Sequence, residues 1–269
     1  MDFLILIAIF IFGLVFGSFL NVVIFRLHTK DSIVNSRSKC LFCSRQLAWY
    51  DLFPVFSFLS LRGKCRYCKK KISWQYPLVE IAAGIVFAAL FSQIFQKYDF
   101  AWGNVLNFLC LAFIFFALIV IFVFDLRHFI IPDEVVFPAI GASFLLLLSK
   151  AFLPDAQSDL PLFYDYFGAA IFAGGFFLFL IWITQGKGMG GGDVKLGFLL
   201  GLTVGLANTL LTLFIAFCSG ATVGIFLIVC GKKKMKSMLP FGPFLIFGFL
   251  ISYFWGSEII GWYWGTFLL

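Results

Sequence analysis

The run Phe113-Ile-Phe-Phe-Ala-Leu-Ile-Val-Ile-Phe-Val-Phe-Asp125 decides the class of fold, because twelve apolar residues end directly on a carboxylate. The apolar stretch begins at about residue 104, which gives the roughly 20 residues that a membrane-spanning helix needs. Composition agrees, since 62% of the 269 residues are hydrophobic and 12% are charged, whereas soluble domains average about 25% charged residues. The chain is therefore predicted to be an all-α polytopic membrane protein.

Similar apolar stretches recur on both sides of this run. They predict about eight membrane-spanning helices, at roughly 3–25, 78–96, 104–124, 134–153, 162–184, 194–206, 208–230 and 239–267. We expect three parts, which are a first helix over 1–25, a small soluble domain over 26–77 and a membrane core over 78–269. No basic residue precedes the first apolar run, so this run is predicted to be an uncleaved anchor and not a signal peptide.

The positive charges predict the orientation in the membrane, because Lys and Arg concentrate in the cytoplasmic loops of membrane proteins. With the N-terminus outside, the cytoplasmic loops hold 18 of the 20 Lys and Arg, and the outer loops hold only Lys97 and Lys150. The soluble domain is then cytoplasmic. The net charge of +7 is explained by this topology and by attraction to anionic lipid, so no nucleic-acid partner is expected.

Two Cys-x-x-Cys pairs lie in the predicted soluble domain. Cys40 and Cys43 are followed, after 21 intervening residues, by Cys65 and Cys68. Four thiolates at about this spacing are typical of a structural zinc site, and a domain of roughly 50 residues has too small a core to fold well without such a staple. The alternative of disulfides is disfavoured in a reducing cytoplasm. Four cysteine ligands leave no open position, so this zinc is predicted to take no part in hydrolysis.

Two aspartates are predicted to lie at the cytoplasmic ends of membrane helices. Asp125 ends the apolar run 113–124, and Asp193 closes the glycine-rich stretch 186–192. Ionisable residues at membrane depth are costly and usually face the protein interior. Two neighbouring carboxyls tend to share one proton, so that one acts as a base on water and the other as an acid on the substrate. The pattern indicates an aspartic protease, in which the glycines allow an extended peptide to approach closely.

Each aspartate alone also has an ordinary structural explanation. Asp125 is equally compatible with a charge at a helix end in the membrane interface, and Asp193 with the N-cap of the next helix. The glycine stretch fits Gly-x-Gly-x-x-Gly at 186, 188 and 191. A dinucleotide site is not expected there, because a membrane segment precedes it and no βαβ unit is visible.

With these residues in place, the chain resembles the type IV prepilin peptidases, also called leader peptidase/N-methyltransferases. The resemblance runs from about residue 10 to 250 and includes the four cysteines and an ordered set of short motifs, at 17–27, 50–51, 54–55, 61–65, 76–80, 125–133, 188–195 and 239–245. One small departure is the pair Cys40-Leu-Phe-Cys43, where a proline commonly follows the first cysteine.

The resemblance implies the reactions, the substrates and the methyl donor. It assigns catalysis to Asp125 and Asp193, in a bacterial cytoplasmic (inner) membrane enzyme that cuts type IV prepilins or pseudopilins at the cytoplasmic face, after the glycine that ends a short basic leader. It also implies N-methylation of the new N-terminal residue with S-adenosylmethionine, for which no binding residues are assigned. Aromatic rings of the cysteine domain are suited to cation–π contacts with such a donor, namely Trp49, Tyr50, Phe53, Phe56 and Phe58. These rings are equally compatible with packing the core of the small domain or with dipping into the bilayer surface.

Two other functions match the sequence less well. An intramembrane protease of the presenilin or signal-peptide-peptidase kind would share the Gly-x-Gly-Asp motif, but it would not need the cysteine domain or the N-terminal motif. An ion-coupled transporter would suit broken, glycine-rich helices. Its ligand site is expected near the bilayer midplane, whereas both aspartates here are predicted at one face.

Overall fold

A computed structural model describes residues 3–29, 38–95, 101–152, 160–186, 189–231 and 239–267. Within these ranges, seven helices are long and apolar enough to cross a membrane. They are α1 (Phe3–Thr29), α3 (Gln75–Ile94), α4 (Trp102–His128), α5 (Asp133–Phe152), α6 (Leu160–Thr184), α7 (Gly191–Val229) and α8 (Gly242–Phe267), and a short helix, α2 (Phe56–Ser60), lies in the cysteine domain. The described residues form two isolated β-bridges and no extended β-strand. The predicted all-α membrane fold is therefore confirmed.

Helix α7 contains both of the passes predicted at 194–206 and 208–230. It has 39 residues, and an unbroken helix of that length would measure about 58 Å, about twice the thickness of the hydrocarbon core. The helical backbone breaks at Gly205, where φ is +77°. The N–H of Leu206 donates to the carboxylate of Asp165 over 3.2 Å, so Asp165 caps the second half. With this break, the seven helices supply the eight predicted segments.

The chain forms two compact units, Met1–Val120 and Ile121–Leu269, which divide within α4. In the first unit, α1 and α3 are antiparallel and meet at small residues. Gly13 faces Gly84, and a side-chain carbon on Gly17 would lie 2.6 Å from Cα of Glu80. Such close backbone approach is typical of membrane helices that pair through small residues. The division predicted at residues 77 and 78 stays a prediction.

In the second unit, α7 contacts α5, α6 and α8. Its first half packs closely on α6, since a side-chain carbon on Gly201 would lie 2.6 Å from the carbonyl oxygen of Ala169. The buried hydroxyls of Ser143 in α5 and Thr203 in α7 form a hydrogen bond of 2.9 Å. These contacts fix the first half of α7, which begins close to Asp193.

The charge pattern that predicts the orientation lies partly outside the described residues. Among the basic residues counted for it, Lys30, Arg37, Lys97, Lys187 and the cluster at 232–236 lie outside the described residues.

Candidate active site and metal centre

Asp125 lies in the last turn of α4, beside the first residue of α8. It is 5% exposed, and the backbone N–H of Gly242 donates a hydrogen bond to its carboxylate. The first N–H groups of a helix have no partner within the helix and carry a partial positive charge. The N-terminus of α8 therefore stabilises negative charge on Asp125.

Asp193 is the third residue of α7 and is 9% exposed. The N-cap residue of this helix is Gly190, and its backbone N–H donates to the Asp193 carboxylate. This arrangement is half of a capping box, in which an acidic residue inside the first turn reaches back to the N-cap. The alternative that Asp193 is itself the N-cap is therefore wrong, because the helix begins before it.

Packing brings the two aspartate-bearing segments together at one end of the second unit. Gly192 lies against the loop that follows α4, where a side-chain carbon on Gly192 would be 2.9 Å from Cβ of Ile131. Nearby, Nζ of Lys195 forms an ion pair of 2.6 Å with Asp133. The Asp193 carboxylate lies within electrostatic reach of Asp125.

Among the described residues, neither Asp125 nor Asp193 has a basic partner. In the described ranges, no Lys or Arg forms an ion pair with Asp125 or Asp193, although Asp133 and Asp51 each have one. Two neighbouring buried carboxyls without a cation favour a state that holds one proton between them. Such a pair has both an acid and a base available at the same place.

The four cysteines of the predicted zinc site form one cluster. The sulfur atoms of Cys40, Cys43, Cys65 and Cys68 all lie within 4.8 Å of one another, and those of Cys40 and Cys68 are 3.9 Å apart. A tetrahedron with Zn–S bonds of about 2.3 Å has edges of about 3.8 Å. The donor set and its spacing therefore fit a tetrahedral zinc ion.

The two cysteine pairs have the same local structure, shifted by 25 residues. The N–H of Cys40 donates to the carbonyl of Arg45, and the N–H of Cys65 donates to that of Lys70, both over 2.9 Å. The residue after each second cysteine has a positive φ, +55° at Ser44 and +59° at Lys69. The sequence carries the same repeat, because Lys39 and Trp49 also recur 25 residues later, as Lys64 and Trp74.

The thiols in this cluster cannot all ionise easily without a cation between them. Burial acts to raise the pKa of Cys40, but the backbone N–H groups of Cys43 and Phe42 and the neighbouring thiols lower it to about 7. One backbone N–H, from Lys70, acts to lower the pKa of Cys68, but burial and the other three thiols raise it to about 11. A bound metal ion would remove this competition by balancing the charge of all four sulfurs.

The first unit also contains a cavity of about 440 Å³, lined by α1, the cysteine domain and the start of α3. Of the aromatic residues proposed for donor binding, only Phe58 lines it. The rings of Trp49, Tyr50 and Phe53 are exposed, with Trp49 in contact with the other two, and Phe56 is 72% exposed. The cavity is formed by residues from separate segments of the chain, so it could not be predicted from sequence spacing.

Comparison with known proteins gives two family matches. The model described as Bacterial Peptidase A24 N-terminal domain matches residues 11–94, and the one described as Type IV leader peptidase family matches residues 112–225. The first range contains all four cysteines, and the second contains Asp125 and Asp193.

Curated relatives align along most of this chain. The chain is 32% identical to a prepilin leader peptidase/N-methyltransferase of Bacillus subtilis, over 95% of this chain and 96% of the relative. Proteins of the same name from Xanthomonas campestris and Pseudomonas aeruginosa are 30% and 28% identical, over 93% and 92% of this chain and 91% and 89% of theirs. No solved structure matches the chain.

Proposed function

Because this chain belongs to the type IV leader peptidase family, we propose that it removes the leader from type IV prepilins or pseudopilins and methylates the new N-terminus. The names of its relatives include both activities, leader peptidase and N-methyltransferase. The observation that carries the peptidase proposal is the pair of buried carboxylates, Asp125 and Asp193, which two helix termini hold at one end of the second unit.

In the proposed cleavage, the ionised member of the pair takes a proton from a water molecule. The water oxygen attacks the carbonyl carbon of the scissile bond, whose oxygen accepts a hydrogen bond from the protonated carboxyl. That carboxyl then gives its proton to the leaving amine as the C–N bond breaks. The pair ends with one proton, as it began, so neither a metal nor a covalent intermediate is needed.

The site is proposed to face the cytoplasm of a bacterium, at the inner membrane. The predicted orientation puts the cysteine domain and the ends of α4 and α7 on that side, following the distribution of Lys and Arg. Backbone N–H groups at the starts of α7 and α8 hold the carboxylates at these helix ends, which the predicted orientation puts at the membrane face. At this depth, the site is proposed to receive a leader peptide that stays outside the bilayer core.

The proposed role of zinc is structural. Cys40, Cys43, Cys65 and Cys68 would hold it, and the ion would join the two cysteine turns of the domain. All four positions of a tetrahedral site are then filled by protein. S-adenosylmethionine would supply the methyl group of the second reaction as an electrophilic sulfonium.

The experiment that tests this proposal uses the full chain in lipid nanodiscs, a purified prepilin and S-adenosylmethionine. Intact-mass spectrometry is expected to show loss of the leader and the added mass of one methyl group on the mature pilin. Without S-adenosylmethionine, only the leader is lost. A prepilin with a bulky residue in place of the glycine before the cleavage site serves as the uncleaved control. An unchanged wild-type precursor would refute the proposal.

A further inference from the structure

The cavity in the first unit has the chemistry of a site for a small charged ligand. Its volume of about 440 Å³ falls in the range of about 300–1,000 Å³ that is typical of small-molecule pockets. Its lining combines aromatic rings, such as those of Phe42, Phe58 and Tyr76, with ionisable groups of both signs.

Two carboxylates line the cavity, Asp51 and Glu80, and Glu80 accepts fewer hydrogen bonds from the protein. Asp51 accepts from Arg66 over 2.7 Å and from Tyr67 and the Ala48 N–H over 3.3 Å each. Glu80 accepts from the N–H of Val55 over 2.7 Å and from Ser18. A carboxylate has about four acceptor positions, so Glu80 retains capacity for a ligand.

The contact between Glu80 and Val55 holds an unusual backbone in place. Val55 has φ +58° and ψ −48°, a conformation that is unfavourable for a β-branched residue. It precedes α2, whose Ser57 and Phe58 form part of the cavity wall. Strained backbone of this kind clusters at ligand sites. Glu80 thus shapes the wall of the cavity as well as lining it.

We propose that this cavity binds the methyl donor, a sulfonium of the S-adenosylmethionine class, with Glu80 facing its positive charge. The inference rests on the proposed methyltransferase function and adds the site for it. The rings offer stacking to an adenine base and cation–π attraction to a sulfonium, and Lys70 and Lys71 in the lining are suited to a carboxylate.

The reaction needs no further co-reactant at this site. The new N-terminal amine first loses a proton to solvent, and a minor fraction is in this neutral form near neutral pH because the pKa of an α-amino group is about 7.7–8.0. The nitrogen lone pair forms a bond to the methyl carbon while the carbon–sulfur bond breaks. The electron pair of the broken bond stays on sulfur. The products are a methylated ammonium and a neutral thioether.

Direct binding of S-adenosylmethionine to the full chain, measured by isothermal titration calorimetry, tests the proposal without reference to turnover. Val22→Phe places a ring in the cavity from α1, and its matched control is Val15→Phe on the exposed face of the same helix. Glu80→Gln removes the charge but keeps an oxygen for the Val55 N–H, and its control is Glu258→Gln, which is exposed on α8. Zinc content and melting temperature check that each variant folds.

Both cavity variants are expected to weaken binding about tenfold or more, Val22→Phe because its ring occupies the cavity and Glu80→Gln because a charged contact is lost. The two controls are expected to bind like wild type. Wild-type affinity in both folded cavity variants would overturn the proposal while leaving methyl transfer intact. Weak binding by Val22→Phe with unchanged binding by Glu80→Gln would retain the cavity and overturn the role of Glu80. A wild-type protein that cleaves prepilin but neither binds nor uses S-adenosylmethionine would instead refute the methyltransferase part of the proposed function.

Discussion

A side-chain carbon on Gly242 would lie 2.5 Å from Oδ2 of Asp125, so the first residue of α8 has no room for a side chain. The same residue donates its N–H to that carboxylate. The start of α8 therefore holds the Asp125 carboxylate both by contact and by a hydrogen bond.

Gly242→Ala is expected to lower the rate of prepilin cleavage by about a hundredfold, since a misplacement of roughly 1 Å at a reacting group costs about that much. The measurement is the cleavage rate in nanodiscs, by mass spectrometry. Gly261→Ala, on the same helix with no atom within 4 Å of the added carbon, controls for the effect of alanine in α8. Equal rates for the two variants would show that Asp125 does not depend on this contact.

Adjacent glycines at the start of α7 offer a second comparison. An added carbon on Gly192 would lie 2.9 Å from Cβ of Ile131, whereas one on Gly191 meets nothing within 4 Å. We expect Gly192→Ala to slow cleavage at least about tenfold more than Gly191→Ala, because it pushes the Asp193 segment away from the loop after α4. The two cleavage rates, measured side by side, would contradict this explanation if they were the same.

Zinc binding is the third prediction. The purified chain is expected to contain about one zinc ion, measured by inductively coupled plasma mass spectrometry. Serine at Cys40, Cys43, Cys65 or Cys68 should remove it and lower the melting temperature, because binding of a structural zinc ion contributes to folding. Cys110→Ser and Cys218→Ser, outside the cluster, should keep the metal. A folded, active protein free of zinc would argue against a metal site.

The fourth prediction is that cleavage and methyl transfer are separable. The aspartates lie in the second unit, and the proposed donor cavity lies in the first. Asp193→Asn is expected to leave a full precursor uncut and yet to methylate a pilin whose leader has already been removed. Mass spectrometry on the two substrates distinguishes the activities. Loss of both in a folded Asp193→Asn protein would mean that the reactions share the aspartates.

Much of the fold was predictable because lipid imposes a simple rule on sequence. Apolar runs of about 20 residues mark the spanning helices, and the short segments predicted on either side of residue 207 correspond to the two halves of α7. The positions of the helix ends were predicted less accurately. Helix α1 continues to Thr29 and α3 begins at Gln75, because polar residues extend helices beyond the membrane.

The aspartates of the candidate site were predictable from the sequence, but the contacts that hold them in place were not. Asp125 and Asp193 stood out because carboxylates are rare beside long apolar runs. That Gly242 holds Asp125 depends on a contact between the start of α8 and the end of α4, which sequence spacing does not encode. Glu80 gave no signal as a ligand group for the same reason, since its partner Val55 is 25 residues away.

The central claim is that Asp125 and Asp193 act as one catalytic pair. The most direct measurement is the cleavage of a purified prepilin, by mass spectrometry, with Asp125→Asn, Asp193→Asn and Asp133→Asn proteins in nanodiscs. Asp133 is the matched control, because its side chain is 54% exposed and its ion pair with Lys195 lies at the surface, where such pairs contribute about 0–1 kcal/mol. We predict no detectable cleavage by Asp125→Asn or Asp193→Asn and near wild-type cleavage by Asp133→Asn. Wild-type cleavage by either Asp125→Asn or Asp193→Asn would contradict the pair.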